Sequence, residues 1–458
     1  MYHVTQYLIH PEDKIFPYCE KMSKFANNMY NVSLYYIRQV MTAMDKQAKG
    51  EALQDNEIAV LKEIETNLPA MNIIRKEDKK FSSPTPKKKV LNFQFLDALF
   101  KVTNNPDYNS DLPKQTSQNM IKLACADIKA FFAEMREYKK CPDKFSGKPN
   151  LPHYKKSGGC CTVEFTNQDS VIYGNELKLP KTKERFNIGR YISGGTLKTM
   201  EIKPYCGCFK IILTMDDNVT IVAEHGEAKR IAAIDFGVNN IAAVANNVGL
   251  PGLLFKGNAM KAENQWFNKK RASIMHGLTV GQEKPKQYNC ESLEILSRKR
   301  DGYMTTNMHR ISNEIILWCT NNDIDTIVLG HTKYWKEESE LGKKNNQNFI
   351  NIPFAKLQNY IRYKAERCGI RVVDREESYT SKASFLDNDF IPTYGQEKGK
   401  PTFSGVRVKR GLYKSKNGTL INADLNGAAN ILRKAYPNAF EDQTEFPFFD
   451  NIYIQVCS

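Results

Sequence analysis

Hydrophobic and polar residues change rhythm several times along the chain, and each rhythm predicts an element. Residues 2–10 alternate like a short strand. Over about 11–50 the positions Phe16, Cys19, Met22, Phe25, Met29, Val32, Tyr36 and Val40 recur at helical spacing. The Tyr and Asn residues mixed into that face read better as packing than as contacts to a nucleic acid. Helical spacing returns over about 52–67 and 114–139. Between these stand Asp78-Lys79-Lys80 and Pro84-Thr85-Pro86-Lys87-Lys88-Lys89, where proline and charge predict a loop. Residues 160–227 break into short alternating segments, 163–165, 177–179, 208–214 and 220–224, which predict a β-rich module.

From Lys229 the pattern changes. Residues 230–245 read as two strands joined at Gly237-Val238-Asn239-Asn240, a hairpin turn, with a third strand at 252–255. Helices fit 259–275 and 291–321. The short apolar run 326–329 is typical of a central parallel strand. Residues 353–368 are amphipathic and stop at Gly369, 370–374 forms another strand, and 423–435 forms a last helix. That helix carries Gly427, Ala428 and Ala429, which let it approach a sheet closely. The order β-β-β-α-β-α-β-α predicts a ribonuclease H-like fold inside an α/β multidomain chain. The tail from Pro437, acidic and aromatic, is expected to be peripheral.

Composition narrows the partners. The 458 residues are too many for one core, so two to four domains are expected. Lys and Arg total 66 against 51 Asp and Glu, a formal charge of +15, which favours a polyanion. No run of about 20 apolar residues exists. The first residues lack the pattern of a signal peptide. The expectation is therefore a nucleic-acid partner, no membrane, and a cytoplasmic, nucleoid-associated place in a bacterium. Eleven cysteines are scattered along the chain. The close pairs, Cys160-Cys161 and Cys206-Gly207-Cys208, are not the C-x-x-C arrangement that tetrahedral zinc favours, so burial in a strand is the plainer reading for Cys206 and Cys208. The proline-broken stretch 139–156 interleaves aromatics with Lys144, Lys148, His153, Tyr154, Lys155 and Lys156. Stacking plus charge on a stiff backbone suits a single strand or an RNA backbone.

The candidate chemistry is acidic. Metal-assisted phosphodiester hydrolysis needs carboxylates that converge from separate elements, and hard divalent ions prefer oxygen ligands. Asp235 ends an apolar strand and Asp424 falls in a first helical turn. Each has a bland reading, as a turn former or as a helix-terminal charge. Their joint placement in order along the fold favours the metal reading. A third acid is expected where Gly330 stands. Glycine leaves a side-chain-sized gap there, which a carboxylate leaning from the neighbouring strand could fill. Glu376 and Glu377 end that strand. Alternation sends them to opposite faces, so only one can serve, and the reading leans to Glu376.

These residues resemble the TnpB family, the transposon-encoded RNA-guided nucleases related to type V CRISPR effectors. The resemblance rests on Ala233-Ile234-Asp235-Phe236-Gly237-Val238-Asn239-Asn240, Tyr363-Lys364-Ala365-Glu366-Arg367, Tyr379-Thr380-Ser381-Lys382 and Asn422-Ala423-Asp424-Leu425-Asn426-Gly427-Ala428-Ala429-Asn430-Ile431. Asp235 and Asp424 match the family's first and third catalytic acids. Gly330 departs from the second, and a displaced glutamate before the Tyr-Thr-Ser segment fits Glu376 or Glu377. The resemblance implies a RuvC-like nuclease domain over 229–382 and 421–436, a helical recognition domain over 13–140, and a β-barrel wedge over 141–228 with its first strand at 1–12. It also implies a target-binding insert over 383–420, with 437–458 a tail. Many relatives carry a four-cysteine zinc ribbon in the insert. This chain has none of those cysteines, so no structural zinc is expected, and Lys382, Arg407, Lys409 and Arg410 would contact DNA, as Lys87 and Lys88 would contact phosphate. The implied cofactor is a pair of Mg²⁺ ions, replaceable by Mn²⁺, held by Asp235, Glu376 and Asp424. The implied partners are a guide RNA and double-stranded target DNA, with one or two protein copies on one RNA. The alternatives are a repressor that binds without cutting and a transposase or resolvase that works without RNA.

Overall fold

The computed structural model describes residues 2–73, 75–189, 195–217, 226–283, 288–331, 352–395 and 401–454. The predicted strand 220–224 lies outside them. The chain divides into two compact units, Met1–Val219 and Thr220–Ser458.

The first unit opens on β1 (Tyr2–Ile9) and α1 (Phe16–Lys49), a long helix ended by Gly50 at φ 70°, the left-handed conformation that glycine adopts without strain. Then come α2 (Asp55–Asn72), α3 (Phe93–Val102) and α4 (Lys114–Lys140). The strands β2 (Val163–Thr166), β3 (Val171–Tyr173), β4 (Glu176–Lys178), β5 (Arg185–Asn187), β6 (Thr196–Tyr205) and β7 (Cys208–Asp216) follow. Helices and strands share one core, in which Leu34, Ile37 and Ile121 pack with Val163, Ile202 and Ile211. Among the described residues the strands form a four-stranded sheet, β1-β7-β6-β2, beside a three-stranded one, β3-β4-β5. Among the described residues β1 and β2 are the edges of the larger sheet, so these strands alone do not close into the expected barrel. Cys206 and Gly207, at φ 44° and 70°, make the tight turn between β6 and β7, which accounts for the C-G-C spacing.

Among its described residues the second unit is built on a six-stranded mixed sheet, ordered β12-β11-β8-β9-β10-β16. Its strands are β8 (Ile231–Asp235), β9 (Asn240–Asn246), β10 (Leu253–Lys256), β11 (Thr326–His331) and β12 (Arg371–Glu376), with β13 (Val406–Lys409), β14 (Leu412–Lys414) and β15 (Leu420–Asn422) in a separate small sheet and β16 (Ile452–Ile454) at the far edge. β8, β11 and β12 run parallel, and β9 runs antiparallel to both β8 and β10. Strands buried on both faces lose polar alternation. Ile231, Ala232, Ala233 and Ile234 are accordingly all buried. One face packs against α5 (Asn258–Thr279), α6 (Glu291–Asn321) and α7 (Phe354–Arg367), through Met308, Ile315, Leu357 and Ile361. The other face takes α8 (Ala423–Ala435), whose Ile431 and Leu432 pack on Ile231, Ala233 and Val328. Ala245 of β9 packs with Ala428 and Ala429 of α8, and Gly427 abuts Asp235 at the end of β8, so helix and sheet backbones lie close together. No helix of the described residues is long and apolar enough to cross a membrane.

The tail is not peripheral, contrary to the expectation. β16 pairs in parallel with β10, and Phe448 is fully buried. Phe385 meets Phe440, Phe446 and Phe448 edge-on, with ring centroids 4.9, 4.9 and 5.6 Å away. Edge-to-face geometry adds to the burial of each ring. Truncating Phe385 to Ala is expected to destabilise the chain by about 3–5 kcal/mol, read as a lower midpoint in denaturant.

One half-buried cation gives a pH signature. Burial pushes the Lys364 ammonium on α7 down to about 8, while it donates to the His309 carbonyl at 3.0 Å and Ser312 Oγ at 2.6 Å. The unfolded chain then holds this proton to higher pH than the folded chain does. Stability therefore gains from this group as pH rises through about 8 toward the normal lysine range. Lys364→Met is expected to flatten that rise in melting temperature between pH 8 and 10.

Candidate active site

Asp235 is the last residue of β8, so the strand carries its carboxylate to the carboxyl end of the sheet. Asp424 sits in the first turn of α8. There the side chain of Asn422 accepts the N–H groups of Asp424 and Leu425 at 2.9 and 3.1 Å. Capping and the helix dipole both favour an acid at that place. Two glycines then make room. A Cβ at Gly427 would stand 2.6 Å from Asp235 Oδ2, and one at Gly330 would stand 2.6 Å from Glu377 Oε2 and 2.8 Å from Ile431 Cδ1. Glycine inside a helix costs about 1 kcal/mol relative to alanine. At Gly427 the close approach of a carboxylate accounts for it.

Glu377, not Glu376, fills the gap beside Gly330, which corrects the reading made from alternation. β12 ends at Glu376, paired with His331, and its regular alternation ends there. The chain then turns: Thr380 donates both its N–H and its hydroxyl to the Glu377 carbonyl, and Tyr379 takes φ 66°. Glu376 is tied elsewhere. Lys434 Nζ on α8 lies 2.5 Å from it, and the Ser378 N–H donates to it at 2.9 Å. Burial would raise the Glu376 carboxyl, but these partners outweigh it and hold it below the usual carboxylate range.

Asp235 behaves in the opposite way. Burial, then the charges of Glu377 and Asp424, push its carboxyl well above the usual range, against a smaller pull from Arg407 and the Phe236 N–H. The three carboxylates line one cavity of about 620 Å³, together with Arg407, Lys409 and Arg410 of the β13–β14 hairpin. Asp424 is held on both sides: Arg407 Nη2 lies 3.1 Å from Oδ1, and Asn240 Nδ2 donates to Oδ2 at 2.7 Å. The donor set, all carboxylate oxygen, suits a hard divalent cation. In this arrangement, among the described residues, no three His, Cys, Asp or Glu side chains are placed to hold an ion together. Arg407 and Asn240 occupy Asp424 instead.

The polar residues of α8 fasten the segment that carries Glu377. Asn430 Nδ2 donates to the carbonyls of Thr380 and Ala383 at 2.9 and 2.8 Å. Asn426 donates to the Ala383 carbonyl at 2.8 Å and accepts from the Phe385 N–H at 3.0 Å. Lys434 also donates to the carbonyls of Ser378 and Pro392. One helix thus supplies one acid and positions another.

The remaining candidates outside the hairpin are not among the residues that line this cavity. In the first unit Lys87, Lys88, Lys144, Lys148, His153, Tyr154 and Lys156 are exposed. Lys155 is half-buried, with its ammonium 4.3 Å from the Tyr30 ring centre. The basic segment is laid along α1: Asn31 exchanges hydrogen bonds with the Lys155 backbone, Asn27 binds the Lys156 carbonyl, and the Arg38 guanidinium covers Tyr154 at 4.8 Å. The asparagines of α1 therefore serve packing. Lys382 is exposed in the second unit, near the Tyr379 ring. Arg407, expected on DNA, instead meets Asp424. Asn240 and Lys434 were not anticipated, though each stands in or beside a quoted motif.

A family model described as Cas12f1-like, TNB domain, matches residues 354–431, and one described as a probable transposase, OrfB_IS605, matches 214–336. The TnpB-like protein ORF457 of Acidianus two-tailed virus is 27% identical over 220 residues, spanning 46% of this chain and 42% of that relative's length. Over these stretches the chain is similar to TnpB-family proteins. The transposase match contains Asp235 and Gly330, and the TNB match contains Glu377, Arg407 and Asp424. Solved structures with some likeness include a Cas12f1–sgRNA–target DNA complex, at 16% identity, 94% coverage of this chain, 98% of the other and a TM-score of 0.31. Another is the mini-RNA-guided endonuclease CRISPR-Cas_phi3, at 10% identity, 95% and 92% coverage, and a TM-score of 0.41.

Proposed function

We propose that this chain is a TnpB-family, RNA-guided DNA endonuclease with a RuvC-like centre. The observation that carries the reading is the convergence of Asp235, Glu377 and Asp424 on one cavity rimmed by Arg407, Lys409 and Arg410. Strand order and direction support a ribonuclease H-like domain, with parallel β8, β11 and β12 beside antiparallel β9. Asp235, Glu377 and Asp424 would hold two Mg²⁺ ions, or Mn²⁺, which when bound activate water and stabilise the leaving oxygen.

The chain's own side chains do the rest. Arg407 presents a planar guanidinium that can leave Asp424 for a phosphate, and it carries the same charge in both positions. Exposed Lys409 and Arg410 hold a strand by its backbone, without reading bases. Asn240 keeps Asp424 turned toward the cavity. Sequence would be tested by pairing of a guide RNA with target DNA, with the basic surface of the first unit holding the RNA. Gly427→Ala places a methyl against Asp235 Oδ2, so cleavage is expected to fall at least about tenfold, because overpacking of about 1–3 kcal/mol displaces that carboxylate.

Chain purified with its bound RNA, given Mg²⁺ and a matched duplex, is expected to cut both strands. Tight binding that leaves the DNA intact would overturn the nuclease reading. A binding-only repressor is the second reading, favoured by the occupation of both Asp424 oxygens. Cleavage by RNA-free protein would instead point to a transposase or resolvase.

A further inference from the structure

The insert between Lys382 and α8 has little apolar interior of its own. Tyr413 and Ile421, with Ala423 at the head of α8, form its small buried cluster. Yet its β13–β14 hairpin brings Arg407 to 3.1 Å from Asp424. Two carboxylates, two residues apart in sequence, hold the two feet of that hairpin.

Asp389 grips the incoming foot. Its Oδ2 accepts the Ser384 N–H at 2.8 Å and the Ser404 N–H at 3.1 Å, and its Oδ1 accepts the Ser404 hydroxyl at 2.6 Å. Asp387 grips the outgoing foot. Its Oδ2 accepts the Lys416 N–H at 2.8 Å and the Ser384 hydroxyl at 2.6 Å. Between the feet, Tyr413 pairs across the hairpin with Arg407 and donates its hydroxyl to the Lys382 carbonyl at 2.8 Å. Gly405 lets this ring pass: a Cβ there would stand 2.5 Å from Tyr413 Cε1. α8 anchors the base of the assembly, since Arg433 Nη2 donates to the Asp389 carbonyl at 2.7 Å. Burial would raise the Asp387 carboxyl, but the donors from Ser384, Lys416 and Ser404 outweigh it and hold it below the usual range. The named carboxylate oxygens face N–H and O–H groups of the protein, which is the pattern of a hydrogen-bonded clasp.

We propose that Asp387 and Asp389 are positioning residues: a metal-free clasp on both feet of the hairpin that sets Arg407 on the acidic cavity. Only its consequence for cutting rests on the nuclease reading.

Two measurements on the full protein–RNA complex test it. The first is residue-resolved hydrogen exchange. Asp389→Asn should speed exchange at the Ser384 and Ser404 amides at least tenfold, and Asp387→Asn should do so at Lys416. Ser404→Ala, a milder change, should speed only its own foot. Unchanged exchange at these amides would overturn the clasp, whether or not the wild type cuts DNA. The second is single-turnover cleavage in Mg²⁺. Asp389→Asn should lower the rate tenfold or more with target affinity unchanged, and should lower it less than twofold further in an Arg407→Ala background. Losses that multiply in the double variant would show that the carboxylates act otherwise than through Arg407, and would overturn the positioning role. Failure of the wild type to cut would sink the nuclease reading alone, because the exchange arm would still decide the clasp.

Discussion

Glu377→Gln is expected to reduce DNA cleavage at least about a thousandfold while leaving RNA and target binding intact. The glutamine keeps the shape that fills the gap at Gly330 but loses one oxygen donor and the charge. Removing a ligand whose ion supplies several kcal/mol of transition-state stabilisation translates to that scale. Glu376→Gln is the control. It weakens the pair with Lys434 that secures the turn after β12, so the loss should be only several-fold. Single-turnover rates at saturating Mg²⁺ check both. Equal losses would place the two glutamates on one function, and a larger loss at Glu376 would restore the reading made from strand alternation.

Asp235→Asn is expected to abolish cleavage and to raise the melting temperature. The two effects share a cause. Asp235 is partly buried in the cavity wall and stands beside the charges of Glu377 and Asp424, which disfavours its ionised form. A neutral amide of the same shape removes that repulsion. Sites that hold like charges together trade stability for function. The measurement is a pair, the cleavage rate and a thermal melt of the same preparation. A variant that loses both activity and stability would mean that Asp235 is chiefly a structural turn residue.

Much of the second unit was legible from the sequence because its strands are short, apolar and separated by clear helical stretches. The run 326–329 declared itself a central strand, and it lies parallel between β8 and β12. The gap at Gly330 was legible too, since a missing side chain beside a neighbouring strand end implies a replacement. Which glutamate enters it was not. Alternation holds only while the strand lasts, and the strand stops at Glu376. Lys434 was the available signal: a cation in the last turn of α8, placed to neutralise whichever glutamate faced it. The helix Phe93–Val102 was missed although Asn92 caps it, accepting the Phe95 N–H at 2.9 Å. Its ten residues were too few to stand out beside a lysine- and proline-rich loop. The tail was misread because acidic residues separate its phenylalanines, and only in space do those rings close around Phe385. Arg407 was recognised as a cation, but its pairing with Asp424 depends on how the hairpin folds back over α8, which no local pattern encodes.

The most direct test of the central assignment is anomalous diffraction at the manganese edge from crystals of the protein–RNA–target complex soaked in Mn²⁺. Peaks within ligand distance of carboxylate oxygens from Asp235, Glu377 and Asp424 together, with Arg407 moved from Asp424, are the expected result. A cavity without peaks at saturating Mn²⁺, or peaks held by Glu376 in place of Glu377, would contradict it.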